Sequence, residues 1–76
     1  RKMADRIREL RLKRHLRQQE VAVALGIPPR TYSSYETGRI PWTCELVIKL
    51  ACFYGVNADY LVGLTDISAP YPPPRR

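Results

Sequence analysis

The sequence contains little of what secreted, metal-binding or membrane-spanning proteins depend on. It has two cysteines and one histidine in 76 residues, with neither CxxC nor Cys/His ligand spacing. If Cys44 and Cys52 lie on one helix, its rise puts them about 12 Å apart, too far for a disulfide. No apolar run approaches the roughly 20 residues that a membrane-spanning helix needs. We therefore expect a soluble cytoplasmic protein with free thiols and no bound metal.

Residues suited to catalysis are equally scarce. The single histidine, His15, has no companion Cys, His or acid motif for nucleophilic or metal chemistry, and its plainer interpretation is a helix-terminal cap. We expect no enzyme activity, no cofactor and no small-molecule substrate. The chain has no signal-peptide pattern and starts at Arg1, which is consistent with a piece of a longer protein.

Acidic residues are few, and the excess of basic ones is unevenly distributed. The chain has 13 Lys and Arg against 7 Asp and Glu. Residues 1–39 hold most of the basic residues, whereas residues 40–66 hold only Lys49 against Glu45, Asp59 and Asp66. A basic half is typical of a protein that binds a polyanion, although charged residues on helices are more often a solvated surface.

Hydrophobic periodicity and capping residues predict an all-helical chain with five helices. The predicted helices are Met3–Arg14, Gln18–Leu25, Pro29 to about Thr37, one after Thr43 that ends at Gly55, and a short one after Asn57. Arg11 falls on the inward stripe of the first helix and so needs a buried acidic partner, because an unpaired buried charge costs several kcal/mol. Prolines dominate from Ile67 onward, which predicts a domain at residues 1–66 and a flexible Pro-rich tail at 67–76.

Two adjacent prolines open the third predicted helix. Pro29 suits the first helical position, and its ring drives Pro28 into the extended geometry of a cap residue. Tyr32 and Tyr35 are expected to point inward. The residues left to face outward are Arg30, Thr31, Ser33 and Ser34.

Several segments, in this order and at this spacing, resemble the phage repressor/Cro (XRE-type) helix-turn-helix family. They are LRQQEVA at 16–22, LGI at 25–27, YSSYETG at 32–38, IKLA at 48–51, YGV at 54–56 and DYL at 59–61. The resemblance covers roughly residues 5–66. It implies a compact five-helix, lambda-repressor-like domain whose third helix enters the major groove of a double-stranded DNA operator. The implied function is that of a transcriptional repressor.

The resemblance also implies which residues contact DNA. Gln18 matches the glutamine that starts the second helix and holds a phosphate, unless it is an ordinary exposed polar residue. Base-facing positions are occupied by Pro29, Arg30 and Ser34, with Thr31 and Ser33 close by, and phosphate positions by Thr37 and Arg39. Arg30 is the strongest candidate to read a base, by bidentate contact with guanine, although it could point at a phosphate instead. Pro29 cannot donate and is limited to apolar contact, for example with a thymine methyl.

Arg11 and Glu36 match a pair that joins the first helix to the end of the recognition helix in this family. The resemblance implies a largely buried salt bridge that orients the recognition helix, with two exposed and unrelated charges as the alternative. The loop after this helix departs from the family pattern, because Pro41–Trp42 lies one residue from the usual proline.

Two matters stay open at the level of sequence. The same fold also serves antitoxins and partner-binding adaptors, and fold alone does not determine function. Family members typically bind DNA as homodimers, and candidate interface residues here are Trp42, Tyr60 and Leu64, on the surface of the last two helices. A further C-terminal region could supply the interface instead.

Overall fold

Three helices make up the N-terminal half of the molecule. They are α1 (Met3–Lys13), α2 (Gln18–Leu25) and α3 (Pro29–Glu36), followed by α4 (Cys44–Tyr54) and α5 (Ala58–Val62). The computed structural model describes residues 3–70. Within that range every regular element is a helix, so the predicted all-helical, five-helix fold is confirmed.

The helices share one apolar core. α3 packs against α1 and α2, α4 packs against α2 and α5, and α5 returns to α1. The largest side chains that are completely enclosed are Tyr32, Ile7, Leu50, Leu61 and Val21. Each of the five helices contributes one residue to this set, so no helix can move without exposing apolar surface.

The turn between α2 and α3 has a fixed backbone path. Gly26 adopts φ 72° and ψ 29°, and the N–H of Ile27 donates to the carbonyl of Ala22 at 3.1 Å, as in a Schellman motif. Pro28 is extended, with φ −64° and ψ 146°, and Pro29 is the first helical residue. The predicted helix stop and proline start are confirmed, and together they set the angle at which α3 leaves α2.

The other helix ends also follow local side chains. Thr43 and Asn57 cap α4 and α5, because their side-chain oxygens accept from the N–H groups of Leu46 and Tyr60 at 3.2 and 2.7 Å. α1 ends at Lys13, one residue before the predicted end. His15 then takes the left-handed conformation, with φ 58°, and redirects the chain toward α2.

Long-range hydrogen bonds tie the end of the domain to its beginning. Arg6 of α1 is 2% exposed and donates to the carbonyl of Thr65 at 3.3 Å and to Asp66 at 2.7 Å. Its guanidinium lies 4.1 Å from the ring centre of Tyr60. The buried Arg6 therefore holds α5 and the residues after it against α1.

The first residues of the predicted tail are also held in place. The side-chain amide of Asn57 donates to the carbonyls of Ile67 and Ala69 at 2.7 and 2.9 Å, and its backbone N–H donates to Ser68 at 3.3 Å. Residues 71–76 lie outside the described residues, so the domain boundary at residue 66 stays a prediction.

The two cysteines of the chain lie on the surface of α4. Cys44 and Cys52 are both exposed and unpaired, so the predicted free thiols are confirmed. Among residues 3–70 no helix has the length and apolar character that crossing a membrane requires.

Candidate functional site

A polar strip runs along the side of α3 that faces away from the core. Arg30, Ser34 and Thr37 follow one another at i, i+4 and i+7, which places them on one face, whereas Tyr32 and Glu36 are buried on the opposite face. Arg30 and Thr37 are exposed and Ser34 is half-buried. We call Arg30, Ser34 and Thr37 the outer strip of α3.

The remaining predicted residues of α3 border this strip. Ser33 and Thr31 are half-buried, and Pro29 is exposed at the start of the helix. Pro28 and Pro29 have no N–H group, so the first backbone donors of α3 belong to Arg30 and Thr31. The start of α3 therefore presents an apolar surface, and its strongest donor is the Arg30 guanidinium.

Two hydroxyl groups of the region already donate their protons within the helix. Ser34 Oγ donates to the carbonyl of Arg30 at 3.2 Å, and Thr37 Oγ1 donates to the carbonyl of Ser33 at 2.8 Å. In this arrangement both oxygens can only accept hydrogen bonds from outside. A phosphate also only accepts, so Thr37 can hold one through its hydroxyl only after giving up its bond to Ser33.

A cleft beside the outer strip brings together three elements. Its lining includes Gln18 at the start of α2, Thr37 and Gly38 after α3, and Asp5 and Arg8 from α1. Gln18 Nε2 donates to Glu36 at 3.1 Å, so Gln18 is a fixed and half-buried group. Arg8 is exposed and adds a positive charge to the predicted set. It was not among the predicted site residues, although it lies one helical turn before Arg11, whose expected pairing with Glu36 already brought α1 to the end of α3.

The loop after α3 places Arg39 next to the same surface. The N–H of Arg39 donates back to the carbonyl of Ser34 at 2.9 Å, and the Arg39 side chain is exposed. Trp42 anchors the other end of the loop by stacking on Tyr35, with ring centres 4.8 Å apart, and by meeting Tyr32 edge to face. The departure at Pro41–Trp42 thus results in a loop held by aromatic packing.

A buried ion pair fixes the position of α3 relative to α1. Arg11 Nε donates to Glu36 at 2.8 Å and a second guanidinium nitrogen donates at 2.9 Å. The two side chains are 10% and 2% exposed. Glu36 also accepts from the Tyr32 hydroxyl at 2.5 Å, and Arg11 donates to the carbonyl of Leu16 at 2.8 Å. Together with the bond from Gln18, these contacts join α1, α2 and α3 at a single carboxylate.

These contacts alter the acid–base properties of the buried groups. Burial of the carboxyl tends to raise the pKa of Glu36, but hydrogen bonds from Arg11, Tyr32 and Gln18 favour the charged form and bring its pKa below the ordinary value of 4.5. Burial and the hydrogen bond to Glu36 raise the pKa of Tyr32 above its ordinary value of 10.0. Glu36 therefore stays charged and Tyr32 stays a donor throughout the neutral pH range.

The lowered pKa of Glu36 predicts that acid weakens the fold. Because the carboxyl is more acidic when folded, its contribution to stability is full above about pH 4.5 and is lost as the pH falls through the folded-state pKa. The free energy of unfolding, measured in urea at pH 6 and at pH 3, should fall more for the wild type than for E36Q, which has no proton to gain. An equal fall in the two proteins would show that Glu36 contributes nothing to the acid sensitivity.

The chain is similar in sequence to known helix-turn-helix proteins. A model of the helix-turn-helix family matches residues 7–61. The chain is 46% identical over 59 residues to the cryptic phage CTXphi transcriptional repressor RstR of Vibrio cholerae. The matched segment covers 78% of this chain and 53% of that protein.

Two Bacillus subtilis proteins are also similar. The uncharacterized HTH-type transcriptional regulator YobD is 34% identical, over 82% of this chain and 55% of its own length. The HTH-type transcriptional regulator ImmR is 32% identical, over 87% of this chain and 52% of its own length. The chain thus spans about half the length of the curated relatives it matches.

Proposed function

Since the chain belongs to the XRE-type helix-turn-helix family, as its sequence resemblance indicated, we propose that it binds duplex DNA sequence-specifically by inserting α3 into the major groove. The observation that carries the proposal is the outer strip of α3. Its three side chains face away from the core while Tyr32 and Glu36 hold the opposite side of the helix in place. A major groove admits an α-helix and distinguishes all four base pairs, so an outward polar strip on a fixed helix can select a sequence.

The contacts divide into those that position the protein and those that read bases. Arg30 is the main reader, through bidentate contact with guanine, and Ser34 is the second. Pro29 makes apolar contact, and Thr31 and Ser33 touch the flanking bases or backbone. Phosphates are held by Gln18 and Arg39, and by Thr37 once its hydroxyl gives up the bond to the Ser33 carbonyl, with Arg8 added across the cleft. This assignment is supported by the convergence of α1, the start of α2 and the end of α3 around one cleft.

The biological role proposed is that of a transcriptional repressor acting on an operator in the cytoplasm. It is supported by the similarity to RstR, which is named a transcriptional repressor. Relatives of this kind are regulators, and catalysis, cofactors and small-molecule substrates have no part in the proposal.

We place the homodimer contact on the surface of α5 and the residues after it. Leu64 is 79% exposed and Ile67 is 70% exposed, so these two side chains give this surface an apolar character. Trp42 and Tyr60 are less available for a dimer contact than their sequence positions suggested, because the half-buried Trp42 stacks on Tyr35 and Arg6 lies over the Tyr60 ring. Of the three predicted interface residues, Leu64 is therefore the one that this surface offers.

Binding should depend steeply on salt if phosphates are contacted. Each phosphate neutralised contributes about 0.9 to the negative slope of log affinity against log salt. Duplexes selected from a random pool would be titrated by fluorescence anisotropy between about 50 and 200 mM salt. Arg39→Ala should make the slope shallower by about 1, because one phosphate contact is lost.

Lys49→Ala is the matched control for this measurement. Lys49 is an exposed cation on α4 whose partner is Glu45 at 3.7 Å, and its removal should leave the slope unchanged. Sedimentation of the same complexes gives the stoichiometry, which should be two chains per operator. Absence of binding to any duplex at low salt would contradict the proposal and favour an adaptor function.

A further inference from the structure

The hydroxyl group of Ser34 already uses its proton within the helix. Its proton is donated to the carbonyl of Arg30, one turn earlier, at 3.2 Å. The lone pairs of the oxygen are left for a partner outside the helix. Ser34 lies on the same face as Arg30, so the partner that it meets is a group in the groove beside the base that Arg30 reads.

We propose that Ser34 accepts a hydrogen bond from the exocyclic amino group of adenine or cytosine. Adenine N6 and cytosine N4 are the amino donors in the major groove, whereas guanine O6 and N7 and thymine O4 are acceptors. The inference rests on the proposed function and goes beyond it, because it names the chemical group that the second reading position selects.

Accepting is favoured over donating for an energetic reason. To donate to guanine or thymine, Ser34 must break its bond to the Arg30 carbonyl, which costs about three- to tenfold in affinity, the net value of one protein hydrogen bond. To accept, Ser34 keeps that bond, and donating a proton strengthens the same oxygen as an acceptor. The free helix is thus already in the state that an amino group requires.

The two readers have opposite polarity and a defined separation. Arg30 has only donors, which suits guanine, and Ser34 accepts. Four residues of helix separate them by about 6 Å of rise, and base pairs are stacked about 3.4 Å apart. The amino group therefore belongs to a base pair within about two steps of the guanine.

The first step of the test finds the base pair that Ser34 contacts. Random duplexes are selected with the wild type, with S34A and with S68A, a matched serine variant in the exposed segment after α5. Only one or two adjacent positions should lose their base preference, and only in S34A. If S34A and S68A both select the same sequences as the wild type with the same stringency, Ser34 reads no base and the proposal is overturned.

The second step determines the polarity of the contact at that pair. The amino group is removed by replacing adenine with unsubstituted purine, or cytosine with 2-pyrimidinone. Wild-type affinity should fall about three- to tenfold relative to S34A, the range of one lost neutral hydrogen bond. S34A serves as the reference because any change in duplex stability affects both proteins equally.

A third measurement tests the opposite polarity, in which Ser34 donates, by removing the acceptor atom of the same base pair. Guanine is replaced by 2-aminopurine, which lacks O6, or thymine by a base that lacks O4. If this change, and not loss of the amino group, weakens wild-type binding relative to S34A, then Ser34 donates and the proposal is wrong. If no duplex is enriched by any of the proteins, the proposed function itself fails, which is a distinguishable result.

Discussion

Replacing Glu36 with alanine is expected to lower the free energy of unfolding by about 3–5 kcal/mol, as for other broken buried ion pairs. The variant leaves the Arg11 guanidinium, whose side chain is 10% exposed, without its carboxylate. It also removes the acceptor of the Tyr32 hydroxyl and of the Gln18 amide. Urea unfolding monitored by circular dichroism at pH 7 measures the loss.

The size of this effect matters because the domain is small. At about 0.05–0.15 kcal/mol per residue, a chain of this length is stable by roughly 4–11 kcal/mol, so E36A can be largely unfolded. E36Q retains the shape and one acceptor oxygen and should show a smaller loss, which keeps the measurement possible.

Glu45→Ala is the matched control, since Glu45 is 80% exposed in its pair with Lys49 and such pairs contribute less than about 1 kcal/mol. Equal losses for E36Q and Glu45→Ala would contradict a structural role for the buried pair.

Replacing Arg30 with alanine is expected to reduce affinity for the selected operator about 10- to 100-fold. A bidentate arginine–guanine contact provides about 1–3 kcal/mol of discrimination against the wrong base. The loss should be confined to duplexes that carry the guanine, with little change for duplexes in which that base pair is altered. Fluorescence anisotropy with the two sets of duplexes, at one salt concentration, separates these cases.

Two further variants define what Arg30 contacts. Arg30→Lys keeps the charge but lacks the planar pair of donors, so it should not restore discrimination. Arg39→Ala should weaken binding to both sets of duplexes by a similar factor, because a phosphate contact carries no sequence information. If Arg30→Ala also weakens binding to both sets of duplexes equally, Arg30 binds a phosphate, and its assignment as a base-reading residue is wrong.

The positions of the helices were predictable because their signals are local. A cap such as Thr43 or Asn57 bonds to an N–H group three residues away, and Gly26 ends α2 through its own backbone conformation. The hydrogen bonds from the Ser34 and Thr37 hydroxyls are local too, since each reaches the backbone carbonyl four residues earlier. They were within reach of sequence reasoning, since serine and threonine in helices commonly bond to the carbonyl one turn earlier.

The sequence by itself therefore determined the five helices, the turn that leads into α3 and the outward direction of Arg30, since each depends on groups within about one helical turn. Thr31, Ser33 and Ser34, also expected to face outward, are half-buried. Only the tertiary structure decided that Arg6 is buried against Thr65 and Asp66, which lie about 60 residues further along the chain. It also decided that Arg8 lies across a cleft from Gln18. Periodicity assigns a residue to a face but does not state which distant segment covers that face. That choice depends on how all five helices share one core, so it becomes visible only when the chain is folded.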